Sequence, residues 1–283
     1  MVAPPVVARS THPAVAAARK LRRRRARSRA GLLLVEGPNA LAEAIGNLEQ
    51  VFLAGTASEQ SRAVAGRCRD AGVPVITVTS AVLAALADAE TPQGVVGVAR
   101  RPTIDLATVT ARADLLVVLD AVADPGNAGT IIRTADAAGA DGVVLTSGSV
   151  DPTNAKAVRA SAGSLFHLPV IDDVPGADVV AACRAAGLRL LAATPDGSTS
   201  YTDLCYTDAT AIVFGNEAHG LSDNLVAQAD GTVSVPMTRS ARLGYHGSAE
   251  SLNLATTAAV VLFEIVRQRN RVERMKIDDS RAQ

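Results

Sequence analysis

The sequence predicts an α/β protein in two parts, a small α/β layer followed by a larger parallel sheet with helices on both faces. Three observations predict it. Short apolar runs alternate with helix-patterned segments along most of the chain. The run at 115–120 is apolar enough for a strand buried on both sides, as in parallel sheets. The chain has 283 residues and is 48% hydrophobic, ample material for one large domain or two ordinary ones.

The elements follow in order. Residues 32–35 read as a buried strand turning at Glu36-Gly37, and 38–45 as a helix with proline at its start. A strand at 51–54 and a helix at 58–71, stopped by Gly72, come next. The β-branched run 73–78 is a strand, Ser80 caps a helix over 81–87, and 94–99 is a strand before Arg101-Pro102. Residues 31–102 hold no concentrated catalytic side chains and read as a binding module, and 103–113 reads as a connector. The second series, 114–269, begins with strand 115–120 and runs through helix 129–138, strand 142–145, helix 152–163 and strand 168–171. Helix 176–186, strands 188–193 and 211–214, helix 220–228, strand 232–235 and a last helix over about 250–269 complete it. The tail 270–283 mixes charges without an apolar face and reads as frayed.

Formal net charge is zero, but the charge is unevenly placed. Residues 1–35 hold nine basic side chains and no acidic one, leaving 19 basic against 28 acidic beyond them. A basic arm, 1–30, on an acidic body is the pattern of polyanion binding confined to one end, with Arg22, Arg23, Arg24, Arg25, Arg27 and Arg29 as its contacts. The same acid-free, arginine-rich start is also the composition of an organelle transit peptide. Four Phe, three Tyr and no Trp argue against a single-strand binder that stacks bases on aromatic rings. Three dispersed cysteines have neither zinc spacing nor the density of a disulfide framework, which favours a reducing cytoplasm. No apolar run approaches the roughly 20 residues of a membrane span.

Three loops after strands carry polar residues that a core does not need, where open parallel sheets bind ligands. The first is Asp124-Pro125-Gly126-Asn127-Ala128-Gly129, with Arg133 inside the following helix and near enough to its amino end to face an anion. It lacks the G-x-G-x-x-G spacing of a dinucleotide site, which weakens an oxidoreductase reading. The second is Gly215-Asn216-Glu217-Ala218-His219-Gly220, where glycines beside a carboxylate point to backbone approach to a ligand. The third is Val235-Pro236-Met237, thirteen further residues, then Ser251-Leu252-Asn253 opening the last helix. Taken singly, each is also an ordinary capped turn, with Asn127, Ser222 or Ser251 capping and His219 on the surface.

In this order and spacing, the three segments resemble the signature motifs of the SpoU/TrmH family of RNA 2'-O-ribose methyltransferases, within the SPOUT superfamily. The first domain, with Leu33-Leu34-Val35-Glu36-Gly37, is similar to the ribosomal-protein-like substrate-binding domain that precedes the catalytic domain in many members.

The resemblance implies a SPOUT-type sheet with a deep trefoil knot, S-adenosyl-L-methionine held in that knot, and a homodimer with its two pockets near the interface. Gly215, Val235 and Leu252 match the cofactor-lining positions, with Asn216, Thr194 and Met237 beside them. Asn127, Arg133, Glu217, Ser251 and Asn253 match the family's functional polar residues. The implied reaction is methylation of a ribose 2'-hydroxyl, in ribosomal RNA before transfer RNA, with neither DNA nor membrane as partner. The alternative from another class is a non-catalytic RNA-binding or ribosome-assembly factor on the same fold. One departure is the length of Thr238–Glu250, which holds Arg239, Arg242, Tyr245 and His246 and is expected to contact RNA.

Overall fold

A computed structural model describes residues 6–237 and 251–282. The chain forms two compact units, Met1–Thr103 with Asp151–His167, and Ile104–Val150 with Leu168–Gln283. The second series is therefore interrupted: 151–167, read from sequence as part of a continuous 114–269, belongs to the first unit.

The basic start is not an extended arm. It folds as α1 (Pro13–Lys20) and α2 (Arg24–Ala30). Val15, Ala18 and Leu21, three residues apart, bury one face, and Gly31 ends α2 in the left-handed conformation (φ 65°). The charge count hid this apolar stripe. Next come β1 (Leu32–Glu36), α3 (Pro38–Ala44), β2 (Leu48–Ala54), α4 (Glu59–Asp70), β3 (Val75–Val78), α5 (Ser80–Leu86) and β4 (Val95–Arg100). Thr79, not Ser80, caps α5, its hydroxyl accepting from the Val82 amide. The sheet order is β1-β4-β2-β3, with β4 antiparallel to both neighbours and β3 parallel to β2.

The connector 103–113 contains a short helix, α6 (Leu106–Thr110), capped by Asp105 accepting from the Thr108 amide at 2.8 Å. Then follow β5 (Leu115–Leu119), α7 (Pro125–Ala137) and β6 (Gly142–Thr146). Within 151–167 lies α8 (Ala155–Ser161). The rest comprises β7 (Val170–Val174), α9 (Gly176–Ala185), β8 (Arg189–Ala193), β9 (Thr199–Ser200), β10 (Thr210–Phe214), α10 (Asp223–Gln228), β11 (Gly231–Ser234) and α11 (Leu254–Ala282).

These strands form one seven-stranded sheet, β7-β6-β5-β10-β8-β11-β9, parallel throughout. β5, β6 and β10 are buried along their whole length, as expected of strands covered on both faces. On one face Leu116, Val118, Val144, Leu190, Ala211 and Val213 form a core with residues of α6, α9 and α10. The alternate residues, among them Leu115, Val117, Leu145 and Phe214, are buried on the other face, where α7 packs on β6 and against α11. α11 continues to Ala282, beyond the expected end near 269, because no glycine or proline interrupts 254–282. Among the described residues, no helix is long and apolar enough to cross a membrane.

Candidate active site

All seven strands point the same way, so their carboxyl ends share one edge. The strand order turns back where β10 sits between β5 and β8. Parallel sheets bind ligands outside such a reversal, and a cleft of about 660 Å³ opens there.

The loop after β5 begins at Asp120, which is only 6% exposed. Its carboxylate accepts from the Thr146 hydroxyl (2.9 Å) and the Ser222 amide (2.9 Å). Ala121 takes a positive φ of 51°, and its carbonyl accepts from Asn216 Nδ2 at 2.7 Å. Asp124 then caps α7, its Oδ1 accepting from the Asn127 amide at 2.9 Å, with Pro125 at the first helical position. The helix thus starts four residues before the expected 129, and Asn127 lies inside its first turn. Gly126 and Gly129 do not delay it.

Glu217, after β10, ties the loops together. Its Oε1 accepts from the Asp124 amide (3.1 Å) and Asn127 Nδ2 (2.9 Å), and its Oε2 from the Ala123 amide (3.0 Å). Asn253 Nδ2 donates to Asn127 Oδ1 at 3.1 Å, while Asn253 Oδ1 caps α11 by accepting from the Ala255 amide at 2.9 Å. One chain of hydrogen bonds, Asn253–Asn127–Glu217, therefore spans all three loops. Burial pushes the Glu217 carboxyl up, but the bonds from Asn127, Ala123 and Asp124 outweigh it and hold the group below the usual carboxylate range.

Gly215, Asn216, Thr194, Val235, Met237 and Leu252 all line the cleft, as do Glu217, Ser251 and Asn253. Asn127 reaches it only through Glu217 and Asn253. Arg133 does not line it. Arg133 is the ninth residue of α7, about 9 Å along the axis from Asn127, and is exposed. That distance removes it from the free amides of the first turn, so it does not face an anion there. Gly215 also has a different reason from the one its sequence suggests. A Cβ there would overlap the Gly220 carbonyl carbon and the Leu221 amide, so the glycine lets its own loop close rather than only admitting a ligand. Ser222 precedes α10 without a side-chain capping bond, and His219 is exposed. Sequence reasoning passed over Asp120 and Asp124. Asp-Pro ahead of a helix was a readable capping signal for Asp124, whereas nothing local marks Asp120. Thr238–Glu250, with the expected RNA contacts, lies outside the described residues.

Of the six arginines expected to meet RNA, Arg22, Arg23, Arg24, Arg25 and Arg29 are exposed, and Arg27 is not. Arg27 is 7% exposed and paired with Asp151 (Nη2–Oδ2, 2.5 Å). It also donates to Thr153 Oγ1 (3.0 Å) and to the carbonyls of Leu21 (2.9 Å) and Arg22 (3.0 Å). Each of its three guanidinium nitrogens donates to a protein acceptor, so this buried side chain is committed to the fold rather than to a phosphate.

Phe214, Val233, Leu252 and Val261 give the cleft apolar walls, and Asp196 and Glu217 are its ionisable side chains. Among the described residues no lysine or arginine lines it, and none form a metal-binding cluster. An apolar, mildly acidic cleft fits a ligand that joins a flat heterocycle to a cation.

A parallel sheet with such a cleft at its reversal point, roofed by hydrogen-bonded polar loops, defines an α/β enzyme that binds a small cofactor. Residues 114–263 match the SpoU rRNA Methylase family, and residues 12–97 match the MRM3-like substrate binding domain. The chain belongs to the SpoU rRNA methylase family. It is 38% identical over 255 residues to a 23S rRNA (uridine(2479)-2'-O)-methyltransferase of Streptomyces viridochromogenes, covering 87% of this chain and 86% of the relative. It is 32% identical over 251 residues to the 23S rRNA (guanosine(2553)-2'-O)-methyltransferase RlmP of Bacillus subtilis, covering 87% and 93%. Among solved structures it resembles the SpoU methyltransferase AviRb from Streptomyces viridochromogenes in complex with AdoMet, with a TM-score of 0.78, 34% identity and coverage of 91% and 98%.

Proposed function

We propose that this chain transfers a methyl group from S-adenosylmethionine to a ribose 2'-hydroxyl in large-subunit ribosomal RNA. The observation that carries the reading is the cleft at the sheet's reversal point, closed over by the Asn253–Asn127–Glu217 chain of hydrogen bonds. Relatives that span nearly the whole chain are named for the same reaction on 23S rRNA.

The cofactor, when bound, supplies a methyl group activated by a positive sulfur. Gly215, Val235 and Leu252 would hold it at the cleft wall, and the acidic side chains Asp196 and Glu217 suit that charge. Glu217 works as a clamp. Held below the usual carboxylate range and turned to three N–H donors, it is poorly placed to take a proton. A guanidinium donates hydrogen bonds and accepts none, so the part of Arg133 is to grip the substrate phosphate and stabilise the forming alkoxide. Because Arg133 lies outside its own chain's cleft, we place it at the cleft of a second copy in a homodimer. The deep trefoil knot expected of the family is part of the same proposal.

The test is transfer of labelled methyl to purified large-subunit ribosomal RNA and to transfer RNA. Label in the ribosomal RNA supports the reading. Label in transfer RNA alone selects the other substrate, and RNA binding without transfer selects an assembly factor. For the dimer, an Arg133→Ala chain mixed with a Gly215→Ala chain should recover activity that neither has alone, at a cofactor concentration too low to load the Gly215→Ala chain.

A further inference from the structure

The first unit contains an open groove of about 900 Å³ between α1, α2 and the sheet. Its floor is aliphatic: Ala14, Ala17 and Ala18 of α1, with Leu32 and Val98 of the strands. Its rim is cationic: Lys20, Arg23, Arg25 and Arg29, all exposed. Among the described residues the one carboxylate in the lining, Glu49, accepts from Arg100 Nε at 2.7 Å and is neutralised by it. Among the described residues no aromatic ring lines the groove.

The two halves of this surface select different parts of a ligand. Four cations around one opening attract a polyanion. A phosphate chain has no use for an aliphatic floor, whereas a nucleobase has an apolar face to bury there. In an RNA duplex those faces are already stacked, so only an unstacked base of a loop or bulge can offer one. Arginine guanidinium planes stack on bases where rings are absent.

We infer that this groove receives an unpaired base of an RNA loop, with the flanking phosphates on Arg23, Arg25, Arg29 and Lys20. The inference rests on RNA being the substrate and deepens that reading by naming the structural class of RNA the first unit selects. It also explains why Arg27 is withdrawn from the basic set: paired with Asp151, it fixes α2 so that its exposed neighbours present a rim.

The experiment is fluorescence anisotropy with two RNA probes of equal phosphate count, a hairpin with an open loop and a fully paired duplex, across a salt series. The wild-type chain should bind the hairpin about tenfold more tightly. Ala17→Leu fills the groove from an exposed helix position. It should erase that preference while leaving the salt slope unchanged. Arg23→Gln should weaken both probes and lower the slope by about 0.7 to 0.9. Ala14→Leu serves as a second filling variant should Ala17→Leu not fold. A filled groove that keeps the hairpin preference, or a wild-type chain that shows none, overturns the inference; a protein partner would then be the groove's occupant. Failure of methyl transfer by the wild-type chain would instead strike the proposed reaction, because the binding assay uses no cofactor.

Discussion

Replacing Arg27 with alanine should unfold the first unit far more readily. The guanidinium is 7% exposed and makes four hydrogen bonds, one of them within its ion pair to Asp151. Truncation leaves Asp151 buried with only the Thr153 amide and hydroxyl as donors. Removing one partner of a buried pair costs roughly 3–5 kcal/mol, and the surviving Thr153 bonds argue for the lower end. For a unit of this size, about 3 kcal/mol lowers the melting temperature by about 12 °C. Arg23→Ala, at an exposed position, should cost under about 0.5 kcal/mol. Burial pushes the Asp151 carboxyl up, but hydrogen bonds from Thr153 and Arg27, with the Arg27 charge, outweigh it and hold the group below the usual range. A depressed carboxylate stabilises the fold above its unfolded value of about 3.9 and loses that contribution as pH falls through the lower folded one. The gap between wild type and Arg27→Ala should therefore be constant from neutral pH to about pH 5 and close in stronger acid. Calorimetry across pH reads both. A variant melting within about 2 °C of wild type at pH 7 would refute the buried-pair reasoning.

Three further outcomes are expected. Gly215→Ala forces a methyl group against Gly220 and Leu221, an overpacking cost of about 1–3 kcal/mol, so calorimetric titration should show cofactor affinity weakened tenfold or more. Glu217→Gln turns an amide NH2 toward one of the N–H donors that the carboxylate accepts. Cofactor affinity should fall several-fold with little change in melting temperature, and a lowered carboxyl predicts that the wild-type advantage persists from pH 8 to about pH 5. Arg133→Ala should abolish methyl transfer yet leave cofactor affinity nearly unchanged, a split that equilibrium titration and single-turnover kinetics resolve together.

The strands of the second unit were legible because burial on both faces writes a continuous apolar run, as at Leu115–Leu119 and Thr210–Phe214. Their order was not, since β10 pairs with β5 across some ninety residues and no local signal encodes a long-range partner. β9, two residues long, has too little pattern to read. The start of α7 was placed too late because 124–128 read as loop, whereas Asp124 and Pro125 set the start and Gly126 and Gly129 sit in the opening turns. Asn127, Glu217 and Asn253 were singled out by motif, but their mutual hydrogen bonds belong to the fold. The fate of Arg27 shows the limit most clearly: composition treats six arginines alike, and only the distant Asp151 separates one from the rest.

The central claim is chemical, that the methyl group goes to ribose oxygen and not to a base. A ribose 2'-hydroxyl is the group that attacks the adjacent phosphodiester in alkali, so methylating it protects that one linkage. Large-subunit ribosomal RNA labelled by this chain should yield, after complete alkaline hydrolysis, an alkali-stable dinucleotide that carries all the label. Label recovered only in mononucleotides, as a methylated base, would contradict the account.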